Sequence, residues 1–190
     1  MTTRKIEEFN ADDRIDITLL KNSVFFLTGE IEEENVAKCI KWITYENLDT
    51  KAEKILTLYV NSKGGDLYQA LALIDVMNTS EYPIRTIGIG TVMSAAFLIV
   101  ASGTKKERYI AQNTSCMCHQ FAGSGGDAKY HDLKAEMKEN EMLNVSMTNI
   151  LVAATGKAPT YVKKRLLPPT DVYMTAQEMV EHGAADYILE

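Results

Sequence analysis

An apolar run at residues 84–90, Ile-Arg-Thr-Ile-Gly-Ile-Gly, is followed after only Thr91-Val-Met-Ser94 by a second one, Ala95-Ala-Phe-Leu-Ile-Val-Ala101. The first reads as a buried strand and the second as a buried helix. A strand that hands straight to a helix is the building unit of a parallel α/β sheet, because the chain must cross back over the sheet before the next strand can pair. The junction also places a serine, Ser94, at a helix N-terminus. Unsatisfied backbone N–H groups there can hold a developing negative charge.

The same alternation holds on both sides of this stretch. Val24-Phe-Phe-Leu27 predicts a strand closed by Thr28-Gly29, and Val36, Cys39, Ile40 and Ile43 recur at helical spacing behind Glu30, Glu32, Glu33 and Glu34. Ile55-Leu-Thr-Leu-Tyr-Val60 predicts a second strand ending at a Gly64-Gly65 turn, followed by a helix bearing Leu67, Ala70, Leu71 and Ile74. In parallel sheets the loops after the strands' carboxyl ends build the sites. Both Gly64-Gly65 and Ser94 fall in such loops. Short strands are expected at Tyr109-Ile-Ala and Ser115-Cys-Met-Cys-His119, then a glycine-rich break at Gly123-Ser-Gly-Gly126.

Residues 127–154 contain no proline and stop at Thr155-Gly156, predicting a helix roughly 40 Å long. Leu133, Met137, Leu143, Met147, Ile150 and Leu151 lie along it. One face is expected to dock on its own domain, and the excess length suits self-association. Thr175-Ala-Gln-Glu178 fits a capping box, Gly183 ends that helix, and 185–189 gives a last strand. With 190 residues and no linker or repeat, the chain is expected to be a single domain, 1–190, with a polar N-terminal segment at about 1–21.

A net charge of -6 and the absence of a dense basic block argue against nucleic acid. Lys105-Lys-Glu-Arg108 reads as a solvated turn. The three cysteines, Cys39, Cys116 and Cys118, suggest reduced, buried thiols in a cytoplasmic protein, and no second Cys/His pair completes a metal site. No signal-peptide core and no membrane-length apolar run are present, so no membrane partner is expected.

A serine hydroxyl becomes a nucleophile when a base takes its proton and a third group orients that base. Of the three histidines, His131 lies on the polar part of the long helix and His182 beside Gly183, where a capping role suffices. His119 ends an apolar strand at a glycine-rich loop. Asp171, in Pro168-Pro-Thr-Asp-Val-Tyr-Met174, precedes the capped helix. Each residue has a plain structural reading: an N-cap serine, a core histidine, a turn aspartate. Together, with the Gly-Gly turn as a second source of oxyanion donors, they predict a serine hydrolase. The chain order Ser, His, Asp differs from that of the α/β-hydrolases, chymotrypsin and subtilisin, and the nucleophile lacks a Gly-x-Ser-x-Gly elbow.

The motifs resemble those of the Clp protease proteolytic subunit, of the ClpP/crotonase fold, from about residue 14 to the C-terminus. Val60-Asn-Ser-Lys-Gly-Gly65 is similar to Ile-Asn-Ser-Pro-Gly-Gly of that family. Gly90-Thr-Val-Met-Ser-Ala-Ala-Phe-Leu98 is similar to its nucleophile segment, Cys118-His-Gln120 to Ile-His-Gln, and Asp171-Val-Tyr-Met-Thr-Ala176 to Asp-Asn-Phe-Met-Ser-Ala. The resemblance implies an α/β fold of repeated β-β-α units with a mainly parallel sheet and a protruding handle helix. It implies Ser94 as nucleophile, His119 as general base, Asp171 as its partner, the N–H groups of Gly64 and Ala95 as oxyanion hole, and Gly65 and Gln120 at the bound substrate. No cofactor or metal is implied.

The resemblance further implies an ATP-independent endopeptidase working on polypeptides inside heptameric rings stacked as a tetradecamer, fed by a separate AAA+ unfoldase of the ClpX, ClpA or ClpC kind. Lys63 replaces the proline before the glycine pair, Phe121 the proline after His-Gln, and Thr170 the arginine before the aspartate. The N-terminal segment lacks the usual Pro-Met-Val stretch. These departures leave a second reading, an inactive or regulatory subunit of a mixed ring. A third is a crotonase-type acyl-CoA enzyme, which shares the fold but needs no Ser-His-Asp set.

Overall fold

A computed structural model describes residues 10–48, 53–122 and 129–189. The alternating apolar runs do form strands and helices in the expected order. Strands β1 (Val24–Thr28), β2 (Leu56–Ser62), β3 (Ile84–Met93), β4 (Arg108–Ala111) and β7 (Tyr187–Leu189) lie side by side in that order, all neighbours parallel. The remaining strands, β5 (Ser115–Cys118) and β6 (Val172–Met174), branch off. β5 runs parallel to the end of β3, and β6 pairs antiparallel with β5. The architecture is mixed α/β with a mostly parallel seven-stranded sheet.

Helices α2 (Glu33–Leu48), α3 (Leu67–Asn78) and α4 (Ala95–Ala101) follow β1, β2 and β3. All seven residues of α4 are buried, which explains why that run carries no polar side chain. It packs against β3, α3 and the long helix α5 (Tyr130–Thr155). In α5, Leu143, Met147, Leu151 and Ala154 are buried in the core, whereas Leu133 and Met137 nearer its start are 39% and 71% exposed. The helix therefore docks by its C-terminal half and projects by its N-terminal half. Gly156 closes it with φ +70. Residues 127 and 128 of the expected helix, and the glycine-rich 123–126, lie outside the described residues.

Three elements have no expected counterpart. Helix α1 (Ala11–Lys21) occupies the polar N-terminal segment, capped by Asn10, whose side-chain oxygen accepts the Asp13 N–H at 2.9 Å. It buries no residue, so it lacks the apolar periodicity by which a helix is recognised. Helix α6 (Pro159–Arg165) buries only Val162, and β6 is three residues long. The capping box at Thr175 and Glu178 opens α7 (Ala176–Glu181) as expected.

The basic cluster is not simply a solvated turn. Arg108 is 2% exposed and grips Asp186 through two guanidinium nitrogens, at 2.9 and 2.6 Å. Its third nitrogen donates to the Ala101 and Ala154 carbonyls at 3.1 and 2.9 Å. Lys105 also reaches the Ala154 carbonyl. These are the open carbonyl ends of α4 and α5, where partial negative charge favours a cation. Arg108 thus ties two helices to the β4–β7 edge.

One irregularity in the sheet positions the site. Between Val60 and Ser62 the β2–β3 register shifts, from Val60 opposite Gly88 to Ser62 opposite Val92. The extra residues bulge around Asn61, whose side-chain oxygen accepts both the N–H and the hydroxyl of Thr91 at 3.1 Å. Gly90 turns there with φ +63, and a Cβ on it would lie 2.9 Å from the Asn61 side chain. Past the bulge β3 leaves β4 and pairs with β5, Thr91 opposite Ser115 and Met93 opposite Met117.

Candidate active site

The pairing of β3 with β5 carries Ser94 and His119 to the same edge of the sheet. Ser94 sits between the last residue of β3 and the first of α4, with φ +54 and ψ −123. That is a strained conformation for a residue with a Cβ, of the kind that persists only when its surroundings impose it. Here the Ser94 N–H is held by the Met117 carbonyl at 2.9 Å. The hydroxyl makes no capping bond to the helix. Instead Ser94 Oγ lies 2.7 Å from His119 Nε2. The reading of Ser94 as a plain N-cap serine therefore fails. A serine that donates to Nε2 requires the imidazole proton on Nδ1, which is the tautomer a general base needs.

Asp171 reaches the neighbourhood through β6. The antiparallel ladder pairs Cys116 with Met174, Met117 with Tyr173 and Cys118 with Val172. The pairing ends there, and His119 and Asp171 are the next residues of their two segments beyond its last pair. The Asp171 side chain is exposed and forms no hydrogen bond with any described residue. Structure thus joins Ser94 to His119 by a hydrogen bond and places Asp171 just beyond the β5–β6 pairing, without a hydrogen bond to any described residue.

The glycine turn meets Ser94 directly. A Cβ on Gly64 would lie 2.6 Å from Ser94 Cβ and 2.9 Å from the Met93 carbonyl. Only glycine allows this approach, and φ +104 demands it as well. The Gly64 N–H is donated to Ser62 Oγ at 3.0 Å, and the Gly64 carbonyl accepts from Ile31 at 2.9 Å. Neighbouring Gly65 pairs with Ile31 in an isolated bridge, yet its own N–H donates to no acceptor among the described residues. The Ala95 N–H, first in α4, is likewise without an intrahelical partner.

A cleft of about 260 Å³ opens over these groups, walled by Gly65, Leu67, Tyr68, Phe121 and Met147 around Ser94 and His119. Leu67, Tyr68 and Met147 had no signal in the sequence, because their helices read only as amphipathic. Tyr68 is tied across to the long helix by its hydroxyl, 3.1 Å from Glu139 Oε1. A larger groove of about 1080 Å³ runs along the outside of α5 and α6 but holds none of Ser94, His119 or Asp171. The Gln120 amide, expected at the substrate, donates to the Leu167 carbonyl at 2.9 Å and so braces the loop behind His119. Lys63 is exposed, and the Phe121 N–H donates to Asn144 at 3.3 Å.

The remaining titratable groups do not compete for the role of nucleophile. Cys116 and Cys118 are buried, and burial pushes both thiols up to about 12, where the thiolate is scarce at neutral pH. Burial raises Cys39 still further. No cluster among the described residues could hold a metal ion. His182 caps α7 and bonds Tyr161 at 2.9 Å.

A family model for Clp protease matches residues 7–190, nearly the whole chain. The chain belongs to the Clp protease family. Membership makes it a peptidase of the ClpP kind and agrees with the mostly parallel sheet and long projecting helix. Among the described residues no helix is long and apolar enough to cross a membrane.

Proposed function

We propose that this Clp protease family chain is a serine endopeptidase in which Ser94 is the nucleophile, His119 the general base and Asp171 the group that orients His119. The observation that carries the reading is the 2.7 Å contact between Ser94 Oγ and His119 Nε2, made by a serine held at φ +54. As Ser94 Oγ attacks a peptide carbonyl carbon, its proton passes to Nε2. The carbonyl oxygen takes up negative charge in the tetrahedral adduct. Collapse of the adduct expels the amine, which receives that proton from His119, and leaves an ester on Ser94. Water then repeats the sequence and frees the acid.

The oxyanion would lie between the N–H groups of Ala95 and Gly65. Gly64, the expected partner, has its N–H engaged by Ser62, whereas Gly65 lines the cleft with an N–H that meets no acceptor among the described residues. No nucleotide takes part in this chemistry, so peptide hydrolysis itself is ATP-independent. Leu133, Met137, Met142 and Val145 expose apolar surface along α5, 39%, 71%, 55% and 52% respectively. That surface suits burial against other copies, in heptameric rings stacked as a tetradecamer, with an AAA+ unfoldase delivering unfolded polypeptide.

A second reading, a regulatory subunit of a mixed ring, draws on Asp171, which is exposed and has no hydrogen bond to any described residue. Intact-mass spectrometry after fluorophosphonate treatment separates the two. A single adduct on the wild type that is absent from Ser94→Ala, with peptide hydrolysis lost in that variant, is the expected result. A wild type that takes no adduct in its assembled state overturns the peptidase assignment and favours the regulatory one.

A further inference from the structure

We propose that Ser62 is a positioning residue for the oxyanion loop: its hydroxyl fixes the Gly64 peptide and so determines which N–H of the Gly64-Gly65 turn faces the reacting carbonyl. This inference rests on the serine-peptidase reading above. Ser62 is 2% exposed and is the last residue of β2. Its Oγ accepts the Gly64 N–H at 3.0 Å and stands 3.4 Å from the Gly64 carbonyl. A serine hydroxyl bonding the N–H two residues on closes a local turn in place of backbone pairing.

Three contacts then determine the Gly64 unit. Ser62 holds its N–H, Ile31 donates to its carbonyl at 2.9 Å, and its α-carbon packs on Ser94 with no room for a Cβ. Little rotational freedom is left to the peptide that follows, whose N–H belongs to Gly65. That group lies in the cleft with Ser94 and His119 and donates to no described acceptor. The loop carries Lys63 between Ser62 and Gly64, so no proline ring restricts φ at that point. The restraint falls on the hydroxyl. Without it, the buried Gly64 N–H would seek another acceptor, and the oxyanion formed during reaction is one toward which it could turn. Two adjacent N–H groups would then compete for one position, and the turn would lose its preset geometry.

The test is Ser62→Ala, with Ser62→Thr as the variant that keeps the oxygen. Displacing an oxyanion donor weakens the transition state more than the bound substrate. The expected result for Ser62→Ala is a fall in kcat of roughly 10- to 100-fold, as for a misplacement near 1 Å, with KM little changed. The affinity of a peptide boronate, whose adduct with Ser94 is tetrahedral and anionic, should fall in parallel with kcat. The affinity of a peptide product, which forms no adduct, should not. Ser62→Thr should restore most of kcat. Wild-type kcat and boronate affinity in Ser62→Ala overturn the proposal, as does equal weakening of boronate and product. If Ser62→Ala does not assemble, Ser62→Thr is compared with Ser62→Cys, whose sulfur is a weak acceptor. Faster turnover by Thr supports the proposal and equal turnover overturns it. Failure of the underlying reading is distinct, since it shows in the wild type as absence of any boronate or fluorophosphonate adduct.

Discussion

Replacing Ser94 by glycine should give a protein more stable than the alanine variant, although both lack the proposed nucleophile. The two substitutions remove the same hydroxyl and the same 2.7 Å contact with His119, so their difference isolates the backbone. At φ +54 and ψ −123, a residue with a Cβ is strained by about 1–3 kcal/mol. Glycine escapes that penalty and loses more chain entropy on folding, about 0.5–1 kcal/mol. At a helix N-cap the exchange adds little further. The balance favours Ser94→Gly over Ser94→Ala by roughly 0.5–2 kcal/mol, or a few degrees in the unfolding midpoint for a chain of 190 residues. Thermal unfolding of both variants at matched protein concentration, so that assembly contributes equally, reads the difference. An alanine variant as stable as the glycine variant would refute the claim that the fold stores strain at Ser94. The claim matters for function because a strained serine between β3 and α4 presents Oγ to His119 instead of to its own helix.

Other outcomes follow from the same geometry. Arg108→Met should destabilise the fold by about 3–5 kcal/mol, because it strands the half-buried Asp186 carboxylate and leaves the Ala101 carbonyl without its guanidinium donor; denaturant unfolding reads this, and Arg108→Lys should not rescue it, lacking the forked geometry. Burial holds His182 below the ordinary histidine range, against the opposing pull of Glu178 and Glu181. The unfolded chain therefore takes up that proton first, and stability should fall as pH drops below about 6.5. His182→Asn should flatten the stability profile on that acid side, and an unchanged profile would remove His182 as its source.

Much of the site was legible because its parts are local. A strand running into a helix with serine between, a Gly-Gly turn after a strand, and a histidine ending a strand are each short-range patterns. What the patterns missed had no local signature. Helix α1 buries nothing, β6 has three residues, and the role of Arg108 depends on Asp186 and two helix ends far away in the chain. Gly64 and Gly65 are adjacent and look equivalent in sequence. Only the folded loop distinguishes them, by giving the first N–H to Ser62 and leaving the second without an acceptor among the described residues.

The amino-acid sequence alone determined the alternation of strands and helices, the buried α4, the long helix and the candidate residues for acyl transfer. These follow from hydrophobic period and side-chain chemistry, which are properties of neighbouring residues. Tertiary structure alone decided that β3 bulges at Asn61 and changes partners, bringing Ser94 within 2.7 Å of His119 and against Gly64, and that the segment before β6, with Asp171, follows the antiparallel β5–β6 pairing next to His119's own strand. Distances between residues 25 or more positions apart depend on register and bulges, and those arise from pairing between strands that the chain order does not specify.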